Sequence, residues 1–272
     1  MYKTIFTYFP SPQTADNLSE LSAFLAETHR AHLIGAHNSA RISLYGGVPS
    51  DVLAQYNHSQ RETAKTIEQS FEKAATARNL SHEWRHKALN DTEVLGDIIH
   101  QARIADLVVA CVNDKSDPLS SFHDVPIRLV LETGRPVLLV PATAQMKTVG
   151  QRITVAWNHS RESARAVFDA LPLLRTAVSV EILAVNPRQD SATSPGEALA
   201  SALSRHGVKA SALVVNAASR SEGDELTAAL AKHESDMLVM GCYGHSRLRE
   251  MVLGGLTKYV LGRMAMPVLL SR

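Results

Sequence analysis

Asp106-Leu-Val-Val-Ala-Cys111 and Asp236-Met-Leu-Val-Met-Gly241 are two versions of one hexapeptide. A second pair, Gly134-Arg-Pro-Val-Leu-Leu-Val140 and Ala265-Met-Pro-Val-Leu-Leu-Ser271, lies at nearly the same offset of about 130 residues. A third opens each copy: Lys3-Thr-Ile-Phe-Thr-Tyr-Phe9 and Arg152-Ile-Thr-Val-Ala-Trp-Asn158. Each of these runs is too short and too β-branched for a buried helix and reads as a buried strand. Self-similarity at a fixed offset means that one supersecondary plan is used twice along the chain.

Between the matched runs of the second copy the pattern alternates. Strands are expected at Ile153–Trp157, Val178–Val185, Val208–Val215, Met237–Met240 and Val268–Leu270. Helices are expected after Ser160, which can cap the first of them, then from Pro195 to a stop at Gly207, at Glu225–His233 and at Leu248–Met264. In the first helix Ala164, Val167, Phe168, Leu171 and Leu174 form one apolar stripe at helical spacing. Strand and helix in alternation imply right-handed crossovers and a parallel sheet covered on both faces, which also explains why the strands are apolar on both sides. The first copy follows the same order less cleanly, with a strand at Ala31–Asn38, a surface loop at Ile42–Asp51 and a helix over about Gln60 to Arg78. The fold expected is therefore α/β: two tandem, Rossmann-like domains, each a five-stranded parallel sheet, related by a pseudo-twofold. They span residues 1–145 and 151–272 and join within the polar stretch Ala142–Gly150.

Composition narrows the function classes. Among 272 residues, 45% hydrophobic and 20% charged residues with a net charge of +1 describe an ordinary globular protein. That charge gives no electrostatic footprint for nucleic acid or for a membrane surface. No apolar run approaches a membrane span, and the first residues do not read as a signal peptide. Cys111 and Cys242 each end an apolar run and read as buried thiols, so a cytoplasmic protein without disulfides is expected.

The most informative chemistry follows the fourth strand of the second copy: Gly241-Cys-Tyr-Gly244-His245-Ser-Arg247, then Gly254-Gly255-Leu256-Thr257. In doubly wound sheets ligands bind beyond the carboxyl ends of the strands. Glycine there lets backbone N–H groups approach a phosphate closely, and a following helix adds its positive end. Thr257 offers a hydroxyl, Ser246 and Arg247 lie where phosphates would sit, and His245 beside them is a further candidate contact.

The spacing Gly241-x2-Gly244-x9-Gly254, followed by Gly255-Leu256-Thr257 and closed by Pro267-Val268-Leu269, resembles the ATP-binding signature of the universal stress protein family. The resemblance covers the second copy closely and the first in element order and final strand. It implies an adenine nucleotide, ATP or AMP, with Mg²⁺ as an accompanying ion. Gly241, Gly244, Gly254, Gly255, Leu256 and Thr257 would meet phosphates and ribose, and backbone near Ala156 and Val185 would hold adenine. Asn158 stands where ATP-binding members carry Asp; it can hydrogen-bond a ribose or adenine edge but brings no charge. Gly255 replaces a Ser or Thr of the signature. The first copy has lost the signature: Cys111 takes the position of Gly241, and Val112-Asn-Asp114-Lys-Ser-Asp117-Pro118 holds no glycine and two carboxylates.

Other motifs point elsewhere. His82-Glu-Trp-Arg-His86 fits the H-E-x-x-H pattern of zinc proteases, but it aligns with a strand of the repeat. Residues four apart on a strand lie roughly 13 Å from one another, too far to share one metal ion. Ser160 and Ser246 have no paired base in the sequence. The reading is a nucleotide-binding stress or regulatory protein with no catalytic residues and at most slow ATP hydrolysis. The alternatives are a chaperone-like adaptor without nucleotide, or a slow ATPase. The final strands, Val137–Val140 and Val268–Leu270, are expected to pair antiparallel within the chain. No sequence feature demands a further homodimer.

Overall fold

The computed structural model describes residues 1–41, 49–112, 124–186, 195–216, 221–242 and 255–272. The chain divides into two compact units, Met1–Lys147 and Thr148–Arg272.

In the first unit β1 (Thr4–Tyr8), α1 (Pro12–His29), β2 (His32–Arg41), α2 (Ser50–Ala77), β3 (His82–Asn90), α3 (Asp91–Ala102), β4 (Leu107–Val112), α4 (Val125–Glu132) and β5 (Val137–Pro141) follow one another. The strands lie in the order β3-β2-β1-β4-β5, and the pairings that join them are parallel. β4 and β5 are buried along their whole length, as strands covered on both faces must be.

The second unit repeats the plan with β6 (Arg152–Ala156), α5 (Arg161–Asp169), α6 (Leu171–Leu174), β7 (Ser179–Val185), α7 (Glu197–Ser204), β8 (Ala210–Val215), α8 (Glu222–Lys232), β9 (Met237–Gly241), α9 (Gly255–Arg263) and β10 (Val268–Ser271). Its order is β10-β9-β6-β7-β8, again all parallel. The duplicated aspartates do the same job in each unit. Asp106 accepts hydrogen bonds from the backbone N–H groups of Lys3 and Thr4 at 2.6 and 3.0 Å. Asp236 accepts from those of Gln151 and Arg152, both at 2.9 Å. Each carboxylate thus ties the start of the first strand to the start of the fourth.

Ser160 caps α5 as expected, its hydroxyl accepting from the Ser163 N–H at 3.1 Å. The apolar stripe needs correction. Val167 and Leu174 are buried, but Phe168 is 48% exposed and leans on the His206 ring, while Ala166 and the polar Glu162 and Ser163 fill the buried face. The helical run breaks at Ala170, because Pro172 has no N–H to continue it. α2 begins at Ser50, a full ten residues before the expected helix, and takes Ser50 and Asp51 from the expected loop; residues 42–48 of that loop lie outside the described residues. α8 starts at Glu222, capped by Ser221 rather than by a residue nearer Glu225.

Candidate functional site

In the second unit the chain runs from β6 through β7 to β8 on one side, then returns to place β9 on the other side of β6. The strand order reverses between β6 and β9, and the crevice beyond their carboxyl ends is where such a sheet accepts ligands. Ala156 at the end of β6 is the register partner of Met240, one residue before Gly241.

The turn that leaves β6 is built locally. The Trp157 N–H donates to the Leu183 carbonyl at 2.8 Å, extending the β6–β7 ladder by one residue. The Asn158 side-chain oxygen accepts from the Ser160 N–H at 3.1 Å, a turn that Asn makes with its own backbone. His159 takes φ +60°, and Ser160 then opens α5. Ala156 and Trp157 are half-buried, and Asn158 and His159 are exposed. The Trp157 and His159 rings lie 5.1 Å apart. β7 ends at the half-buried Val185, after which Asn186 takes φ +46°.

Gly241 has a packing role that its place in the glycine pattern did not reveal. A Cβ there would lie 2.3 Å from the Glu162 carbonyl carbon and 2.4 Å from the Ser163 nitrogen. The first turn of α5 therefore rests directly on the end of β9, and only glycine permits it. Glu162 is buried under that contact and bonded to the exposed Arg161. Burial opposes its charge, but the Arg161 bond and local hydrogen bonds outweigh that and hold the carboxyl below its ordinary pKa. The neighbouring Cys242 thiol is pushed up to about 12 by burial, which leaves it inert, and it donates to the Ser271 carbonyl.

Of the sequence-predicted residues, Ala156, Asn158, Val185 and Gly241 stand at the carboxyl ends of the adjacent strands β7, β6 and β9. Gly255, Leu256 and Thr257 are the first described residues of α9, which joins β9 to β10 and so has its leading end on the side of the strand carboxyl ends. Gly255 is exposed with open space where a Cβ would project, Leu256 is half-buried and Thr257 is buried. Gly244, His245, Arg247 and Gly254 lie outside the described residues, as do Ser246 and, in the first unit, Asp114 and Asp117. The His82–His86 motif lies on β3 as expected. The two histidines have separate partners: His82 is bonded to Glu72 and the Leu80 carbonyl, His86 to Ser39. Among the described residues no group of three His, Cys, Asp or Glu could hold a metal.

The first unit has the same strand reversal, between β1 and β4. Register matches Tyr8 to Ala156 and Cys111 to Gly241. There the mouth is filled: Tyr8, Phe9, Pro10 and Ser11 are all buried. Phe9 packs on Phe71 and Trp84, with ring centroids 5.9 and 5.8 Å away.

Residues 150–272 match the Universal stress protein family. The second unit is a universal stress protein domain. The fold of the whole chain is similar to that of a universal stress protein from Archaeoglobus fulgidus DSM 4304, with a TM-score of 0.73 over 99% of this chain and 96% of that one at 13% identity. Two Pseudomonas aeruginosa proteins share it as well. One, from strain UCBPP-PA14 and classed among universal stress proteins, has a TM-score of 0.58 and 15% identity over 99% of this chain and 93% of its own. The other, of unknown function from strain PAO1, has 0.55 and 14% over 99% and 92%. At these identities the likeness is one of fold, and it extends the universal stress protein architecture to the first unit. No curated protein matches the chain in sequence. Among the described residues no helix is long and apolar enough to cross a membrane.

Proposed function

We propose that the universal stress protein domain binds one adenine nucleotide per chain, ATP or AMP, in the crevice between β6 and β9, and that the protein serves a stress-response or regulatory role. The observation that carries this reading is the contrast at the two reversal points. Ala156 with half-buried Trp157 and exposed Asn158 and His159 leaves the mouth of the second unit more exposed than that of the first, where Tyr8, Phe9 and Pro10 are buried. In this reading backbone at Ala156 and Val185 holds adenine and Asn158 bonds ribose or an adenine edge. The start of α9, from Gly255 to Thr257, faces the phosphates, where helix N–H groups favour an anion. Mg²⁺ accompanies the nucleotide as its counter-ion.

Glu162, tied to Arg161 beneath the mouth, is engaged rather than free to activate water, which supports a binding role over rapid hydrolysis. Bound nucleotide would then act by favouring one conformation or assembly, through differential affinity alone. Calorimetric titration with ATP and AMP, together with mass spectrometry of any nucleotide released on denaturation, tests the proposal. One site per chain is expected. Two equivalent sites would remove the asymmetry, and absence of both heat and released nucleotide would leave the adaptor reading. Rapid turnover of Mg²⁺-ATP would make the protein an enzyme instead.

A further inference from the structure

α9 is a nine-residue helix whose buried residues are Thr257, Val260 and Leu261. One neighbour, α8, also holds it through the Tyr259 side chain. The Tyr259 ring lies over the first turn of α8 at Gly223, where a Cβ would come within 2.5 Å of the ring. The Tyr259 hydroxyl donates to the Asp224 carboxylate at 2.6 Å. The Arg263 guanidinium lies 4.3 Å from the centre of the same ring, on the far end of α9. The receiving end is itself held: the Ser221 hydroxyl caps α8 by accepting from the Asp224 N–H at 3.2 Å and donates to the Asp224 carboxylate at 2.7 Å.

We propose that Tyr259, seated in the notch left by Gly223 and bonded to Asp224, is the positioning residue that sets where Gly255–Thr257 of α9 stand, and through them the affinity for the nucleotide phosphates. The inference rests on the nucleotide reading above. Its geometry is direct. Tyr259 lies four residues after the exposed Gly255, one helical turn along α9. A ring seated against Gly223, with Arg263 over it and its hydroxyl bonded to Asp224, fixes both the rotation and the height of that turn. A hydrogen bond from N–H to phosphate is sensitive to displacements of a few tenths of an ångström, since its optimum is narrow. In the nucleotide reading adenine is held at β6 and β7, on other elements, and is outside the reach of the clasp.

That separation supplies the test. Adenosine and ATP are titrated calorimetrically into the full-length wild-type chain and into Tyr259→Phe and Gly223→Ala. Tyr259→Phe keeps the ring and removes one hydroxyl; it should weaken ATP about fivefold, the scale of one hydrogen bond. Gly223→Ala displaces the ring and should weaken ATP about tenfold or more, on the scale of an overpacked contact. Adenosine affinity should fall by much less than ATP affinity in both. Equal losses for adenosine and ATP would mean general softening of the unit and would overturn the inference, as would unchanged ATP affinity in Tyr259→Phe. If Gly223→Ala fails to fold, Tyr259→Phe decides alone. A wild-type chain that binds neither adenosine nor ATP would overturn the nucleotide reading and this inference with it. A wild-type chain that binds both, beside variants that do not separate them, would overturn this inference alone.

Discussion

The two strand-reversal points are built on one plan and finished in opposite ways. In the first unit the chain leaves β1 through Tyr8, Phe9 and Pro10, buried, and enters an 18-residue helix at once. In the second it leaves β6 through Ala156, then spends exposed residues on a turn before a nine-residue α5 begins. The fourth strands differ in step. Cys111 carries a side chain where Gly241 carries none, and at Gly241 a helix backbone presses against the strand end. The two mouths keep an aromatic ring in step, Phe9 and Trp157, and differ at the residue before it, where the first unit buries Tyr8 and the second has Ala156.

The largest change is expected from giving the second mouth the residue of the first. Ala156→Tyr should reduce ATP affinity by about a hundredfold or more, as a ring placed in a pocket excludes its occupant, with little effect on unfolding in denaturant. Retained affinity in calorimetry would show that the open mouth is not the site. Gly241→Ala comes next. Its methyl would meet the Glu162 and Ser163 backbone, which has no side-chain freedom to yield, so a loss of about 3 kcal/mol is expected. Cys111→Gly in the first unit should cost only about 1 kcal/mol, mainly through chain entropy and a small void. Equal costs in urea unfolding would end the distinction between the two strand ends.

Acid sharpens the comparison from the other side. Register places His37 of the first unit where the second has Ala184. His37 donates from Nδ1 to the Phe9 carbonyl, its Nε2 is buried without a partner, and its ring stacks on His86, near Glu68. Burial lowers its pKa to about 4 against a lift from the Phe9 bond, and the His86 ring adds a lesser lowering. The unfolded chain takes up this proton near pH 6.5, the folded chain only near pH 4. Stability contributed by neutral His37 is therefore complete above pH 6.5 and falls as pH drops through that window, with roughly 2 kcal/mol lost by pH 5. Urea titrations at stepped pH should show the decline, and His37→Gln should flatten it. An unchanged slope in that variant would assign the effect elsewhere, His29 included. The smallest effect belongs to Asn158→Ala, which removes the bond to the Ser160 N–H: about 1 kcal/mol in stability and a few-fold in nucleotide affinity.

Most of the architecture was legible because parallel strands buried on both faces leave continuous apolar runs, and the chain writes them twice. What escaped was whatever depends on a neighbour distant in sequence. Phe168 fits a helical stripe, yet the face it joins is covered by Ala166, Glu162 and Ser163, and periodicity cannot say where the sheet ends. Gly241 was legible as a special position but not as the seat of α5, since that contact spans about 80 residues of chain. Tyr259 and Gly223 carried no motif; only the spacing of Ser221 and Asp224 at a helix start gave a signal. Ser50 to Gln60 reads as polar, and its helix is exposed along much of its length, so no apolar face marked the start.

Asp106 and Asp236 each fasten two strands at their amino ends, the end of the sheet opposite the mouth. Under the nucleotide reading, anchorage and recognition fall at opposite poles of the second unit. A substitution at the mouth leaves the fastening intact, so residues there can change from one copy to the other while the strands keep their alignment. The inverse experiment, carving a small-residue mouth into the first unit, starts from a frame already pinned at its other pole.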